Sequence, residues 1–174
     1  MKTPGNYLLW MLGAAAVLLL ARQWYFTPNV ATDQTAYDFT AVRLDGSPFR
    51  LSDHYADGYV FLEFWGSWCA PCRYESAEVA FLAREYPELT VVSVALEQDS
   101  AAWRRALVDL GKTWPHQIMD PTTSLRFLDG PVSDRYGVNK VPTHFLFGPG
   151  GRVLGADVSL PEVLQLLDRR ARPN

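Results

Sequence analysis

The sequence predicts an α/β domain, with a mixed central sheet flanked by helices and an added β-hairpin at its N-terminal end. Three observations carry this. "YVFLEFW" (Tyr59–Trp65) and "LTVVSVAL" (Leu89–Leu96) are nearly continuous apolar runs, the pattern of strands buried on both faces. Each is followed by a stretch of helical spacing, and strand–helix–strand alternation implies parallel pairing through right-handed crossovers. Nearer the C-terminus, "THFLFGPGGRVLGADV" reads as strand, Gly/Pro turn and strand, which adds antiparallel members to the sheet.

Ahead of this domain, Lys2 precedes an apolar run of 15 residues, Tyr7–Ala21, interrupted only by a tyrosine hydroxyl. The run is shorter than the roughly 20 residues of a full span. Counting on to Phe26 reaches 20, with Arg22 able to snorkel and Trp24 and Tyr25 suited to the membrane interface. A cleaved signal peptide competes, but "LLARQW" puts Arg and Gln where its small residues belong. The absence of a nearby cysteine excludes a lipid attached through one. Residues 1–26 are therefore read as an uncleaved signal anchor. The domain lies on the exported side, in the periplasm or at the cell exterior. Residues 27–36, small and polar with one proline, are read as a tether, and residues 37–174 as the folded domain.

The remaining elements follow in order. "YDFTAVRLDGSPFRLSDH" alternates around Asp45-Gly46, a hairpin signal. After Cys72, "RYESAEVAFLAREY" supports a helix that ends before Pro87. Ser100 is placed to cap "AAWRRALVDLG", which stops at Gly111. A short helix is expected around Thr123–Leu128. Ser159 and Glu162 have the spacing of a capping box at the start of the last helix, "LPEVLQLLDRR". Lys+Arg 16 against Asp+Glu 19 gives a net charge of −3 without a basic cluster, which argues against a nucleic-acid partner.

Cys69 and Cys72 are the only cysteines. A disulfide across two intervening residues closes too small a loop to stabilise a domain of this size by much. A closed zinc site needs two further ligands, and His54, His116 and His144 make no ligand-spaced cluster, so no metal is expected. A reactive dithiol remains. Cys69 falls between a buried strand and a helix, where unpaired backbone N–H groups and the helix dipole favour a thiolate. Pro71 fits the first turn of that helix. Cys72, one turn deeper, reaches the Cys69 sulfur more readily than an outside disulfide does. Cys69 is thus the nucleophile and Cys72 the resolving thiol, and the only redox group required is the Cys69–Cys72 disulfide.

"FWGSWCAPC" resembles the active-site segment of thioredoxin-like proteins. With the N-terminal anchor, the leading hairpin, "CRYE" and "KVPTHFLF", the chain is similar to the membrane-tethered TlpA/ResA-type thiol–disulfide oxidoreductases. The resemblance covers the domain from Tyr37 onward and implies a thioredoxin-like fold. It also implies a cis peptide bond at Val141–Pro142 beside the CxxC pair, with Val141 backbone groups free to pair with a substrate segment. Glu63, six residues before Cys69, occupies the buried-acid position, where a desolvated carboxylate suits proton transfer from Cys72. An exposed strand-end glutamate is the plain alternative. Glu75 matches the acidic residue three after the second cysteine, one turn from Cys72; an ordinary first-turn glutamate is equally consistent. Trp68 is expected to flank the active-site surface, and Ala70-Pro71 to help set the potential. Ala77 departs from the family, which often has proline there, and implies a straighter helix. His144 is expected to be a solvent-facing or hydrogen-bonded strand residue.

The resemblance implies reduction of protein disulfides, such as those of apocytochromes or copper-site cysteines, with electrons from a membrane donor. Two alternatives stand beside it. A peroxiredoxin-type peroxidase would carry Thr or Ser where this chain has Gly66. A copper-binding chaperone would use Cys69, Cys72 and His144 and would turn over no disulfide.

Overall fold

A computed structural model describes residues 5–56 and 58–171 of the chain. Helix α1 (Gly5–Tyr25) comes first, its described side chains exposed along their length. Its 21 residues span about 30 Å, the thickness of a bilayer core. The helix is long and apolar enough to cross a membrane, and so fits an anchor or a signal sequence.

Strands β1 (Thr40–Val42) and β2 (Pro48–Arg50) form the expected hairpin, which stands as a separate two-stranded sheet. Then follow β3 (Tyr59–Trp65), α2 (Ala70–Glu85), β4 (Leu89–Glu97), α3 (Ser100–Asp109), β5 (His116–Pro121), α4 (Pro131–Tyr136), β6 (Thr143–Phe147), β7 (Val153–Ala156) and α5 (Leu160–Ala171). The central sheet has the order β5-β4-β3-β6-β7, with β3, β4 and β5 parallel and β6 and β7 antiparallel. The mixed sheet predicted from sequence is present.

Because side chains alternate along β3, its two faces build two different layers. Val60, Leu62 and Phe64 pack with Phe49 of β2 and with Val132 and Tyr136 of α4. Phe61 packs with Val79 and Leu82 of α2 and with Val163 and Leu167 of α5. Trp65 joins Cys69, Cys72 and the α3 residues Trp103, Ala106 and Leu107. Each large apolar side chain buried in this way stabilises the fold by about 1.5–3 kcal/mol.

Several details differ from the sequence reading. Strand β5 was not expected, because its edge position leaves it with His116, Gln117 and Asp120 and hides its apolar period. The expected helix at Thr123–Leu128 is a turn, tied by Asp129, which accepts from Thr122 Oγ1 at 2.6 Å and Ser124 N–H at 2.8 Å. The helix forms instead at α4, between Pro131 in its first turn and Gly137 at φ 67°. The cap of α3 is Asp99, whose carboxylate accepts from Ala101 N–H at 2.8 Å, not Ser100.

The stretch read as a tether is in part core. Val30 is 2% exposed and Ala36 is buried with it, while Asn29 N–H donates to Tyr136 O and Arg152 pairs with Asp33. A single valine among polar residues leaves no periodic signal, so packing of this kind has none in sequence. The capping box at α5 is as expected, with Glu162 Oε2 accepting from both Ser159 N–H and Ser159 Oγ at 2.7 Å.

Candidate active site

The site lies where β3 runs out and α2 begins. Cys69 is the N-cap of α2 in extended conformation, and its Sγ accepts the Cys72 N–H at 3.2 Å. A backbone donor therefore points at this sulfur, at the positive end of a helix of 16 residues, a setting that favours a thiolate. Cys69 and Cys72 are joined as a disulfide. Pro71 sits in the first turn, and Ala70 and Pro71 are exposed beside the pair. Helix α2 runs unbroken through Ala77.

The loop leading to Cys69 is held from below. Trp68 Nε1 donates to Leu96 O at 2.9 Å, while 41% of the residue stays exposed at the rim. Its indole lies over Gly66, where a Cβ would come within 2.5 Å of Trp68 Nε1, so glycine is required by close approach. Ser67 N–H donates to the buried carboxylate of Glu97. Burial above all pushes the Glu97 carboxyl up, against the Ser67 hydrogen bond. Val141 packs against the cluster that contains both cysteines, and the Val141–Pro142 peptide bond is cis.

Beneath the cysteines lies a group of buried charges. Glu63 is central to the sheet, opposite Ser93 on β4 and His144 on β6. Its Oε1 accepts from Lys112 Nζ at 2.6 Å and from Ser93 Oγ. The Lys112 and Glu63 side chains are 0% and 4% exposed. The ammonium also lies 4.4 Å from the Trp65 ring centroid and 4.9 Å from that of Trp114. Trp114 Nε1 donates to Ser93 Oγ at 2.8 Å, which closes the network. Glu63 is buried, but it is not the lone desolvated acid that the sequence suggested; a cation is bonded to it.

Glu75 reaches the same region from α2. Its Oε2 lies 3.4 Å from His144 Nε2. Burial raises the Glu75 carboxyl above the ordinary glutamate range, opposed by the charge of His144 and reinforced by Glu78 and Glu63. His144 is buried, with Nδ1 3.1 Å from Val158 O and its ring beside Phe61. It is the hydrogen-bonded strand residue of the two possibilities, not the solvent-facing one. Among the described residues, no group of three or more His, Cys, Asp or Glu is arranged to hold a metal ion.

The profile of the AhpC/TSA family matches residues 32–155. The thiol–disulfide oxidoreductase ResA of Geobacillus thermodenitrificans is 30% identical over 151 residues, which cover 84% of this chain and 80% of that one. The protein of the same name from Bacillus thuringiensis subsp. konkukian is 31% identical over the same length, covering 84% and 81%. The chain belongs to the ResA-type thiol–disulfide oxidoreductases of the AhpC/TSA family.

Solved structures agree with this family in fold. A putative thiol:disulfide interchange protein DsbE from Chlorobium tepidum superposes with a TM-score of 0.69 at 25% identity, covering 80% of this chain and 96% of that one. The thioredoxin domain of a Bacteroides vulgatus thiol–disulfide oxidoreductase gives 0.70 at 19%, covering 83% and 100%, and supports the thioredoxin-like fold alone. Of the residues that sequence pointed to, Cys69, Cys72, Trp68, Ala70, Pro71 and Val141 meet at one rim in this oxidoreductase, with Pro142 following Val141. Glu63 and Glu75 lie below it. Lys112, Ser93, Trp114 and Glu97 were missed. The only trace of Lys112 in sequence is a lysine next to Gly111, which by itself reads as a surface residue at a helix end.

Proposed function

We propose that this oxidoreductase is a membrane-anchored reductase of protein disulfides, exported to the periplasm or cell exterior. The observation that carries the reading is Cys69 at the N-terminus of α2, its sulfur bonded both to a backbone N–H and to Cys72. In the reduced protein the Cys69 thiolate attacks a substrate disulfide. An S–S bond forms to Cys69 and one substrate sulfur leaves with the electron pair. Cys72 then loses its proton and attacks Cys69 Sγ, which releases the second substrate thiolate and forms the Cys69–Cys72 disulfide. Two electrons have passed to the substrate, and a donor in the membrane returns the pair to the dithiol. No cofactor beyond this disulfide is needed. Val141 backbone groups align the substrate segment next to Trp68, Ala70, Pro71 and Pro142.

The proton from Cys72 goes to Glu75, which lies one helical turn away and whose carboxyl burial favours in its protonated form. Glu63, which the sequence suggested for this role, is engaged by Lys112 and holds the charge balance beneath the site. Disulfides of apocytochromes or of copper-site cysteines are the proposed substrates.

The test is the redox equilibrium of the full-length chain in detergent micelles, in graded thiol buffers, with alkylation of Cys69 as the readout. A potential near about −270 mV supports a reductase, and one near about −120 mV makes the protein an oxidant. Cys69→Ser abolishes reduction of a protein disulfide. Cys72→Ser lets a mixed disulfide with substrate accumulate at Cys69; its failure to do so with an active wild type refutes the division of labour.

A further inference from the structure

Glu63, Lys112, Glu75 and His144 come together on the α2 side of the sheet. Glu63 and Lys112 are matched to each other at 2.6 Å. Glu75 and His144 face one another: Oε2 and Nε2 are 3.4 Å apart, within ion-pair distance, both atoms are buried, and neither has a hydrogen-bond partner among the described residues. The other ring nitrogen decides how they match. His144 Nδ1 faces the Val158 carbonyl at 3.1 Å, and a carbonyl oxygen has only lone pairs to offer. Nδ1 therefore carries a proton. If Nε2 and Oε2 both carried protons, two donors would face each other; if neither did, two lone pairs would. Either arrangement leaves buried polar atoms unmatched, which is costly. One proton sits between them, as imidazolium with carboxylate or as neutral imidazole with carboxylic acid.

We propose that Glu75 and His144 form a dyad holding one shared proton, in which His144 is a positioning residue. It fixes Glu75 Oε2 and leaves Oε1 to exchange a proton with Cys72. This rests on the reading of Glu75 given above. When the Cys72 sulfur attacks, its proton passes to Oε1, the Cys72–Cys69 S–S bond forms, the Cys69–substrate S–S bond breaks and the electron pair leaves on the substrate sulfur. The Glu75 side chain is 36% exposed, so the proton can be returned to water. When the membrane donor reduces the disulfide, the departing Cys72 thiolate takes a proton along the same path. The imidazolium form restrains the proton affinity of Glu75, which burial alone would raise further. The other charged groups around the dyad are Glu78 on α2, Glu63 on β3 and Lys112 ahead of β5, with Cys72 on α2 as the thiol served. The segment ahead of α5 contributes the neutral Val158 carbonyl.

The experiment follows release of a chromophoric thiol from its mixed disulfide with Cys69, in the full-length chain in detergent micelles, from about pH 5 to 9. Glu75→Gln is expected to remove one ionisation from the profile. His144→Gln cannot become cationic, so Glu75 holds its proton more tightly and the profile moves to higher pH by about one unit, about a tenfold rate change at fixed pH. A wild-type profile in His144→Gln, with Glu75→Gln altered, overturns the dyad and leaves the role of Glu75 standing. An unchanged profile in Glu75→Gln overturns the role of Glu75 and the dyad with it. Ring ¹⁵N shifts of His144 in the wild-type protein give a second test that needs no variant of the pair. Nδ1 protonated throughout is expected; an unprotonated Nδ1 at neutral pH overturns the proposal.

Discussion

Lys112→Met removes the cation from Glu63 while keeping most of the buried stem. The ammonium lies 2.6 Å from Glu63 Oε1, with both side chains almost wholly out of water. Removing one partner of a buried pair costs about 3–5 kcal/mol, because the remaining charge has neither water nor counter-ion. The lost contacts with the Trp65 and Trp114 rings add about 0.5–2 kcal/mol. We expect a loss of about 4 kcal/mol at pH 7. The double variant Glu63→Gln/Lys112→Met carries no stranded charge and is expected to recover at least half of that loss. The assay is urea unfolding of the full-length chain in detergent with its disulfide intact, followed by tryptophan fluorescence. A single-variant loss below about 1 kcal/mol, or an equal loss in the double variant, refutes the argument that this pair is balanced charge against charge.

Substitutions at two further positions test the polar residues of β5. His116 is driven down to about 4 by burial, by His54 and by Arg43, so it is neutral in the fold and takes up a proton more readily when unfolded. Its contribution is complete above about pH 6.5 and is lost as pH falls toward 4; after discounting for partial exposure, about 1–2 kcal/mol is at stake. His116→Gln should flatten that part of the stability–pH curve, and an unchanged slope counts against it. Asp120→Ala strips the N–H groups of Val132 and Ser133 of the carboxylate that accepts them at 3.1 and 2.8 Å, and is expected to cost about 1–2 kcal/mol. Asp120→Asn, which keeps an acceptor oxygen, should lose less in the same unfolding assay; equal losses would show that the charge, not the cap, is what matters.

Local pattern was enough for the reactive centre. A buried strand, a Cys-x-x-Cys pair with proline in the first turn and an amphipathic helix follow one another within about thirty residues, so backbone sterics and helix-end electrostatics place Cys69 without reference to the rest of the chain. The same holds for the Asp45-Gly46 hairpin and for the Ser159–Glu162 cap. Strand β5 and helix α4 were not legible, because an edge strand with polar duties and a six-residue helix offer too few apolar repeats to count.

The partners of the buried acids lay further out of reach. Lys112 is 49 residues from Glu63, and His144 is 69 positions beyond Glu75. Neither pair has a spacing to recognise, since sheet register and helix docking bring them together: β6 runs antiparallel to β3 with His144 opposite Glu63, and α2 brings Glu75 to His144. A dithiol at a helix N-terminus was legible in the chain alone, because it follows from residues that are neighbours along it. Which buried acid is bonded to a cation and which faces a histidine emerged only in three dimensions. The state of a buried charge depends on what surrounds it in space, and in this domain those surroundings come from distant parts of the sequence.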